Sequence, residues 1–589
     1  MTKGRSADIV TAEVVGNYLL SVAEQVNQTI IKASFNPNIK ERQDCSAALL
    51  DGQGRLVAQA DNNPAHLGSL LYMGEEVLKK YGDRVREGDV FIHNDPYTRG
   101  SSHLSDLTLV TPIFAQGRLA FFAVNTGHHV DVGGRVPGST APDSRTIYEE
   151  GVRVPLVRLA DAGALNEDML ALICYGCRDP EERAADIRAQ IAANEIARRP
   201  LVALAERYGI EGLFVIVETI LDYAERRGRE VIATLPEGRY RATVWMDSDG
   251  INDDEIPITV TSVIRDKAIH FDFTGTGPQA AGAMNCVASI VAAAVYFAFK
   301  PMLDPGIPPN SGFFRCITMH APPGTIVNPL PPAATGVRID AAQKITDAVV
   351  KSLVGALPRD RAVAGSHAIN SCWLFYGDDP IRKKSYVYIE TFGGGGGARA
   401  GKDGMDGIHV YLVNTRNLPV EVLEREYPLL VERYGFVPDS GGPGEFRGGL
   451  GIWRDIRALC DGNYLTTRSE GQKRGTWGVL GGGEGGPARV FKNPGTRREE
   501  RLPAKRSDIP LRRGDVLSLR TPGGGGLGDR RRRDPERIAA DIANGKITPA
   551  HARKVYQFGP GRAARRGHSV PKERSRKRGL RSAQAMLAL

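Results

Sequence analysis

Cysteine, histidine and long apolar runs are all scarce in this chain. Seven cysteines in 589 residues are too few for a disulfide framework and suit a reducing compartment. The longest nearly apolar run, Cys286 to Phe299, has 14 residues, too short to cross a bilayer. Charge follows Met1, but no signal-peptide apolar core comes after it. These absences predict a cytoplasmic protein with no membrane partner. Chemistry-bearing motifs are missing too: there is no HExxH, no paired CxxC and no GxSxG nucleophile elbow.

Acidic residues are sparse only at the end of the chain. Residues 551–589 carry eleven Lys/Arg against one acid, which accounts for the whole net charge of +9. The basic balance therefore belongs to a tail and not to a binding face. Residues 558–589 read as a basic disordered extension. Beyond Phe558 no aromatic residue offers a base a stacking surface, so no dedicated nucleic-acid partner is expected.

Length gives a prior of roughly three to four domain-sized units. A long amphipathic helix is expected from Asp8 to Ala33, with Val14, Tyr18, Leu19 and Val22 at helical spacing. Short strand-like runs follow at Ala47–Leu50, Val90–Ile92, Leu107–Val110 and Leu119–Val124. A helical block is read from Glu167 to about Arg227, strands from Gly238 to Phe273, and buried helices at Ala288–Lys300 and Ala341–Leu357. From Gly365 to Asp529 the chain is glycine-rich and β-like, without a helical period. Asp534-Pro-Glu and Thr548-Pro-Ala then open two helices with N-caps and Pro at the first position. The expected fold class is α+β: one mixed composite catalytic body over 8–557, with several β-rich layers and packed helices. Its expected parts are 8–230, 235–365, the glycine-rich β part 366–530 and the helical pair 534–557.

The chemistry concentrates between Gly88 and Gly138. Leu107–Phe114 and Leu119–Asn125 flank Ala115-Gln-Gly-Arg118, a hairpin pattern. A turn centred between Gln116 and Gly117 places Asp106 opposite Gly127 and His103 opposite Val130. Ser102-His-Leu-Ser-Asp106 and Gly127-His-His-Val-Asp131 then meet at one end of the hairpin. Four of the eleven histidines and three aspartates fall within the 39 residues from His93 to Asp131. Converging imidazoles and carboxylates suit a divalent metal such as Zn, Mn or Fe. Adjacent His128 and His129 point to opposite sides of an extended chain, so only one of them is expected at the metal.

Other candidates are weaker. Gly396-Gly-Ala-Arg-Ala-Gly-Lys402 nearly spells a phosphate-binding loop, but Asp403 stands where a Ser/Thr hydroxyl belongs and would repel phosphate. The runs Gly481–Gly486 and Gly523–Gly526 read as tight turns. Cys174-Tyr-Gly-Cys177 reads as a packed pair.

Asp89-Val-Phe-Ile-His-Asn-Asp-Pro-Tyr97, Ser102-His-Leu-Ser-Asp106, His128-His-Val-Asp-Val-Gly-Gly134 and Glu149-Glu-Gly151 resemble the hydantoinase B/oxoprolinase family. So do Phe271-Asp-Phe-Thr-Gly-Thr276, Asn310-Ser-Gly-Phe-Phe-Arg315, Pro438-Asp-Ser-Gly-Gly-Pro-Gly444 and Thr521-Pro-Gly-Gly-Gly-Gly526, in the family's order. The resemblance implies the metal-containing B-type subunit of an ATP-dependent cyclic amidohydrolase, of the hydantoinase or 5-oxoprolinase kind. ATP would be bound by a separate A-type subunit that phosphorylates a lactam or hydantoin, in a heterotetramer or larger assembly. It implies Asp44, His103, Asp106 and His128 as metal ligands. In the mechanism expected here, His129 or Asp131 orients or deprotonates the attacking water. The alternative it carries is a subunit of an ATP-dependent ketone carboxylase using the same site. Cys45 and Gly176 stand where the family commonly has Phe and Asn.

Overall fold

A computed structural model describes residues 7–366 and 371–559. The expected basic tail lies, apart from its first two residues, outside the described residues. The fold is α+β, built on four mostly antiparallel sheets with helices packed between and around them.

The first sheet positions the site. Its strands are β1 (Cys45–Asp51), β2 (Leu56–Gln59), β3 (Val90–His93), β4 (Asp106–Ala115), β5 (Arg118–His128), β6 (Val157–Asp161) and β7 (Ala164–Leu165). They lie in the order β2-β1-β5-β4-β3-β6-β7. Side chains alternate across a strand, and here both faces are covered. Ala48 and Leu50 join the central core, while Ala47 and Leu49 pack with helix α1 (Ile9–Ala33). This double burial is why β1 reads as an unbroken apolar run and not as an alternating one.

Helix α1 starts where expected, with the Asp8 carboxylate accepting from the Thr11 amide at 3.1 Å. Its buried stripe runs through Ala12, Val15, Leu19, Val22, Val26 and Ile30. Val14 and Tyr18, expected on that stripe, lie outside it and are exposed. The one-residue offset follows from 3.6 residues per turn, which rotates positions 14 and 18 to the flank.

The second sheet contains strands 238–246, 256–265, 268–272 and 317–320. Four helices occupy the block predicted from Glu167, among them α2 (Glu167–Tyr175) and α3 (Pro180–Ile196). The buried helices α4 (Ala288–Leu303) and α5 (Arg338–Val354) pack on each other, and α5 packs against the first two strands of the second sheet. The glycine-rich region forms two more sheets that enclose a core around Trp373, Phe375, Ile456 and Leu519. It also holds one short helix, Val420–Glu426, which no helical period announced.

Extended glycine segments in this region bond laterally to one another. The Gly449 amide donates to the Gly396 carbonyl at 2.8 Å, and the Gly524 amide to the Gly449 carbonyl at 2.9 Å. A Cβ on Gly524 would stand 2.0 Å from the Gly396 oxygen, so only glycine allows the backbones this close. The loop-like run Gly396–Lys402 belongs to this lattice and opens no helix. The Asp403 carboxylate is taken by the Arg447 amide and the Arg533 guanidinium.

Candidate functional site

The hairpin β4–β5 turns at Gln116 and Gly117, both with positive φ (51° and 73°), as a two-residue turn matching strand twist requires. A bulge beside Phe114 shifts the pairing by one residue. Asp106 therefore faces His128, and not Gly127 as the unbroken register predicts. Asp44 precedes β1, and its carbonyl accepts from the His128 amide at 3.0 Å. Three adjacent strands thus deliver Asp44, His128 and Asp106 to one end of the sheet. His103 joins them from the turn before β4.

One ligand atom from each of His103, Asp106 and His128 lies within 4.8 Å of the other two. The two imidazole centroids are 5.0 Å apart, and His103 Nε2 is 2.9 Å from Asp106 Oδ1. Asp44 sits beside this trio. Its Oδ1 accepts from Asn63 Nδ2 at 2.6 Å and lies 3.6 Å from His66 Nε2. His66 Nε2 is also 3.8 Å from Asp106 Oδ1, so this imidazole stands between the two carboxylates.

All five side chains are buried or nearly so. Burial, with Arg338 nearby, pushes His103 down to about 3, which leaves a neutral imidazole at pH 7. Burial also lowers His128. Burial works against ionisation of Asp106, but His103 and Arg338 outweigh it and hold the carboxyl well below its usual range. At Asp44, His128, His66 and Arg42 likewise overcome burial.

His103 Nε2 and Asp106 Oδ1, though 2.9 Å apart, are not aligned for a hydrogen bond, and these two atoms and His103 Nδ1 are buried with no other hydrogen-bond partner. Orphaned buried polar atoms are costly. Neutral imidazoles and carboxylates converging in this way match the donor set of a divalent transition metal. The second carboxylate oxygen is fixed from outside: Asp106 Oδ2 accepts from Arg338 NH2 at 2.8 Å and from Ser102 Oγ at 2.8 Å. Such outer contacts orient a ligating carboxylate.

His129 and Asp131 are placed elsewhere. His129 Nε2 is 3.0 Å from Gln190 Oε1 on α3, because the next residue of an extended chain faces the other side of the sheet. The Asp131 carboxylate accepts from the amides of Gly133, Gly138 and Arg178 and from the Arg178 guanidinium, at 2.8–3.0 Å. With its oxygens so engaged it ties a loop together, and neither residue is positioned as the expected base.

A small cavity of about 40 Å³ opens beside the cluster. Asp44, His66, His128 and Arg338 line it, together with Arg42, Arg468 and the apolar Ile339, Ile389 and Val413. Sequence motifs did not point to His66, Arg42, Arg338 or Arg468. Arg338 left no distinct signal, being one of five charged residues on its helix. His66, alone in Asn63-Pro-Ala-His66 before an apolar run, left none.

The model of the family described as hydantoinase B/oxoprolinase matches residues 8–530. An uncharacterised protein of Methanocaldococcus jannaschii is 36% identical, over 93% of this chain and 96% of its own. The B-type subunit of a putative D-/L-hydantoinase from a Pseudomonas species is 30% identical, over 94% and 95%. Among solved structures, the ATP-dependent caprolactamase of Pseudomonas jessenii superposes with a TM-score of 0.86 at 29% identity, covering 94% of this chain and 96% of that one.

Proposed function

Since this chain belongs to the hydantoinase B/oxoprolinase family, we propose that it is the ring-opening subunit of an ATP-dependent cyclic amide hydrolase. In this reading an A-type partner binds ATP and phosphorylates the carbonyl oxygen of a lactam or hydantoin. The present chain then hydrolyses the activated ring: two waters are consumed, the ring C–N bond breaks, and inorganic phosphate leaves with an open-chain amino acid as product. Phosphorylation is needed because an unstrained amide is a poor electrophile.

Asp44, His103, Asp106 and His128 are the residues that would hold a divalent metal, and Zn, Mn and Fe all suit the donor set. Such an ion supplies Lewis-acid activation of water near neutral pH. Arg338 holds Asp106 in place, and Asn38 lies 3.4 Å from His128 Nδ1. His66, between Asp44 and Asp106 and 3.1 Å from Ser46 Oγ, is placed to take up a proton as water attacks. This replaces His129 and Asp131 in that role.

The observation that carries the reading is the buried trio with orphaned ligand atoms beside an arginine-lined cavity. The test is co-purification with an A-type subunit, followed by assays of lactams and hydantoins with ATP. Ring-opened amino acid should form without retaining label from bicarbonate, whereas a carboxylase would retain it. His103→Ala should abolish turnover while the subunits still assemble; undiminished turnover would refute the assignment.

A further inference from the structure

The cavity holds more positive charge than its carboxylates neutralise. Of its three arginines, Arg338 is paired with Asp106. Arg42 and Arg468 are only 2% and 4% exposed, yet among the described residues neither forms an ion pair with a carboxylate. Arg42 donates to neutral oxygens: Asn38 Oδ1 at 2.9 Å, Thr391 Oγ1 at 2.8 Å and Thr415 Oγ1 at 3.4 Å. Its buried Nε has no partner. Arg468 hydrogen-bonds Cys372 and feels Asp340 only electrostatically. Both oxygens of Asp340 lack hydrogen-bond partners.

Arg42 likewise feels Asp44 only electrostatically. A guanidinium taken out of water without a directly bonded carboxylate is unfavourable, and two lining one cavity are more so. The state that relieves both has an anion in the cavity, and the planar fork of arginine fits the oxygens of phosphate and carboxylate. Thr391 and Thr415 bond to each other at 3.0 Å and hold one end of the Arg42 fork. Ile339, Ile389 and Val413 offer the same cavity an apolar wall. Guanidinium groups and methyl groups in one lining suit a small group that carries an oxyanion on an apolar frame.

We propose that Arg42 and Arg468 form an oxyanion subsite that holds a phosphoryl or carboxylate group of the substrate beside the His/Asp cluster. This deepens the hydrolase reading and rests on it. Arg42 also reaches the cluster through Asn38, so the subsite and His128 are fixed by one set of contacts. The residues come from both halves of the chain: Arg42 precedes β1, and Arg468 lies in the glycine-rich half on strand 463–469.

The first measurement is calorimetric titration of the full chain with inorganic phosphate, comparing wild type, Arg468→Met and Arg468→Lys. Wild type should bind saturably, and Arg468→Met at least about ten-fold more weakly. Arg468→Lys should fall between them, because it keeps the charge and loses the fork. No saturable binding by wild type, or equal binding by Arg468→Met, would overturn the proposal. If Arg468→Met fails to fold, Arg468→Lys carries the comparison, and undiminished binding by it overturns the fork contact.

The second measurement uses the assembled complex with 5-oxoproline and with an uncharged lactam. A rise in KM of about ten-fold or more for both rings identifies the phosphoryl group as the anion. A rise for 5-oxoproline alone identifies the ring carboxylate, and no rise for either refutes the subsite. Phosphate binding requires neither partner nor turnover. Arg468-dependent binding by a chain that opens no ring would keep the subsite and remove the hydrolase reading.

Discussion

Asp106→Asn tests the electrostatics of the cluster with almost no change of shape. The Asp106 side chain is fully buried, and burial opposes its charge, yet His103 and Arg338 keep its carboxyl well below the usual range. The fold thus stabilises the ionised form, and a neutral amide must lose that stabilisation. Arg338, 5% exposed, would be left without the carboxylate now 2.8 Å away. Breaking one side of a buried pair costs about 3–5 kcal/mol. The amide oxygen can still accept from the guanidinium, which restores about 1 kcal/mol. The expected net loss is about 2–4 kcal/mol, read from urea unfolding of chelator-treated protein. Metal content should fall as well, to below about a tenth of wild type after dialysis, since a ligand has lost its charge. An unfolding midpoint and metal content both equal to wild type would refute the pairing and the ligand role together.

Asp131→Asn should behave in the opposite way. It turns one acceptor oxygen into a donor among four donors, so stability should drop by about 2–3 kcal/mol while metal content stays intact. Loss of metal with unchanged melting would return Asp131 to the cluster. His93 is pushed down to about 4 by burial, from an ordinary value of 6.5. Its folded form resists protonation, so it costs nothing above pH 6.5 and lowers stability progressively as pH falls towards 4. The loss reaches about 3 kcal/mol there. His93→Gln should flatten that part of the stability profile, and an unchanged acid limb would show that His93 is not its source.

Much of this arrangement was legible in the sequence, for reasons that differ by element. The α1 helix had an N-cap and a period, and both helices of the C-terminal pair had Pro after a capping side chain. Their boundaries came out within a residue or two. The hairpin was readable because its turn is local, so His103, Asp106 and His128 could be brought together without any long-range assumption. Its register was off by one because a bulge leaves no mark in apolar residues. Strand alternation said that only one of His128 and His129 could reach the metal, and the family resemblance pointed to His128. His66, Arg42, Arg338 and Arg468 were not legible. Their meaning depends on contacts between residues as far apart as 42 and 391, and no local pattern encodes that separation. The glycine runs were read as turns, and the chain does turn at Gly481, but Gly482–Gly486 and Gly523–Gly526 lie outside turns and strands, in a lattice whose reason lies in distant neighbours, such as Gly396 and Gly524, 128 positions apart.

The cavity wall is assembled from residues 42 to 468, and this span has a consequence during synthesis. A ribosome that has released the first hairpin has already made every imidazole and carboxylate of the cluster, but neither Arg338 nor the wall that closes over it. Until the glycine-rich half arrives, those side chains remain open to solvent. The chamber is therefore completed late: a truncated product carries the histidines and aspartates of the cluster without the wall that Ile389, Thr391, Val413, Thr415 and Arg468 supply.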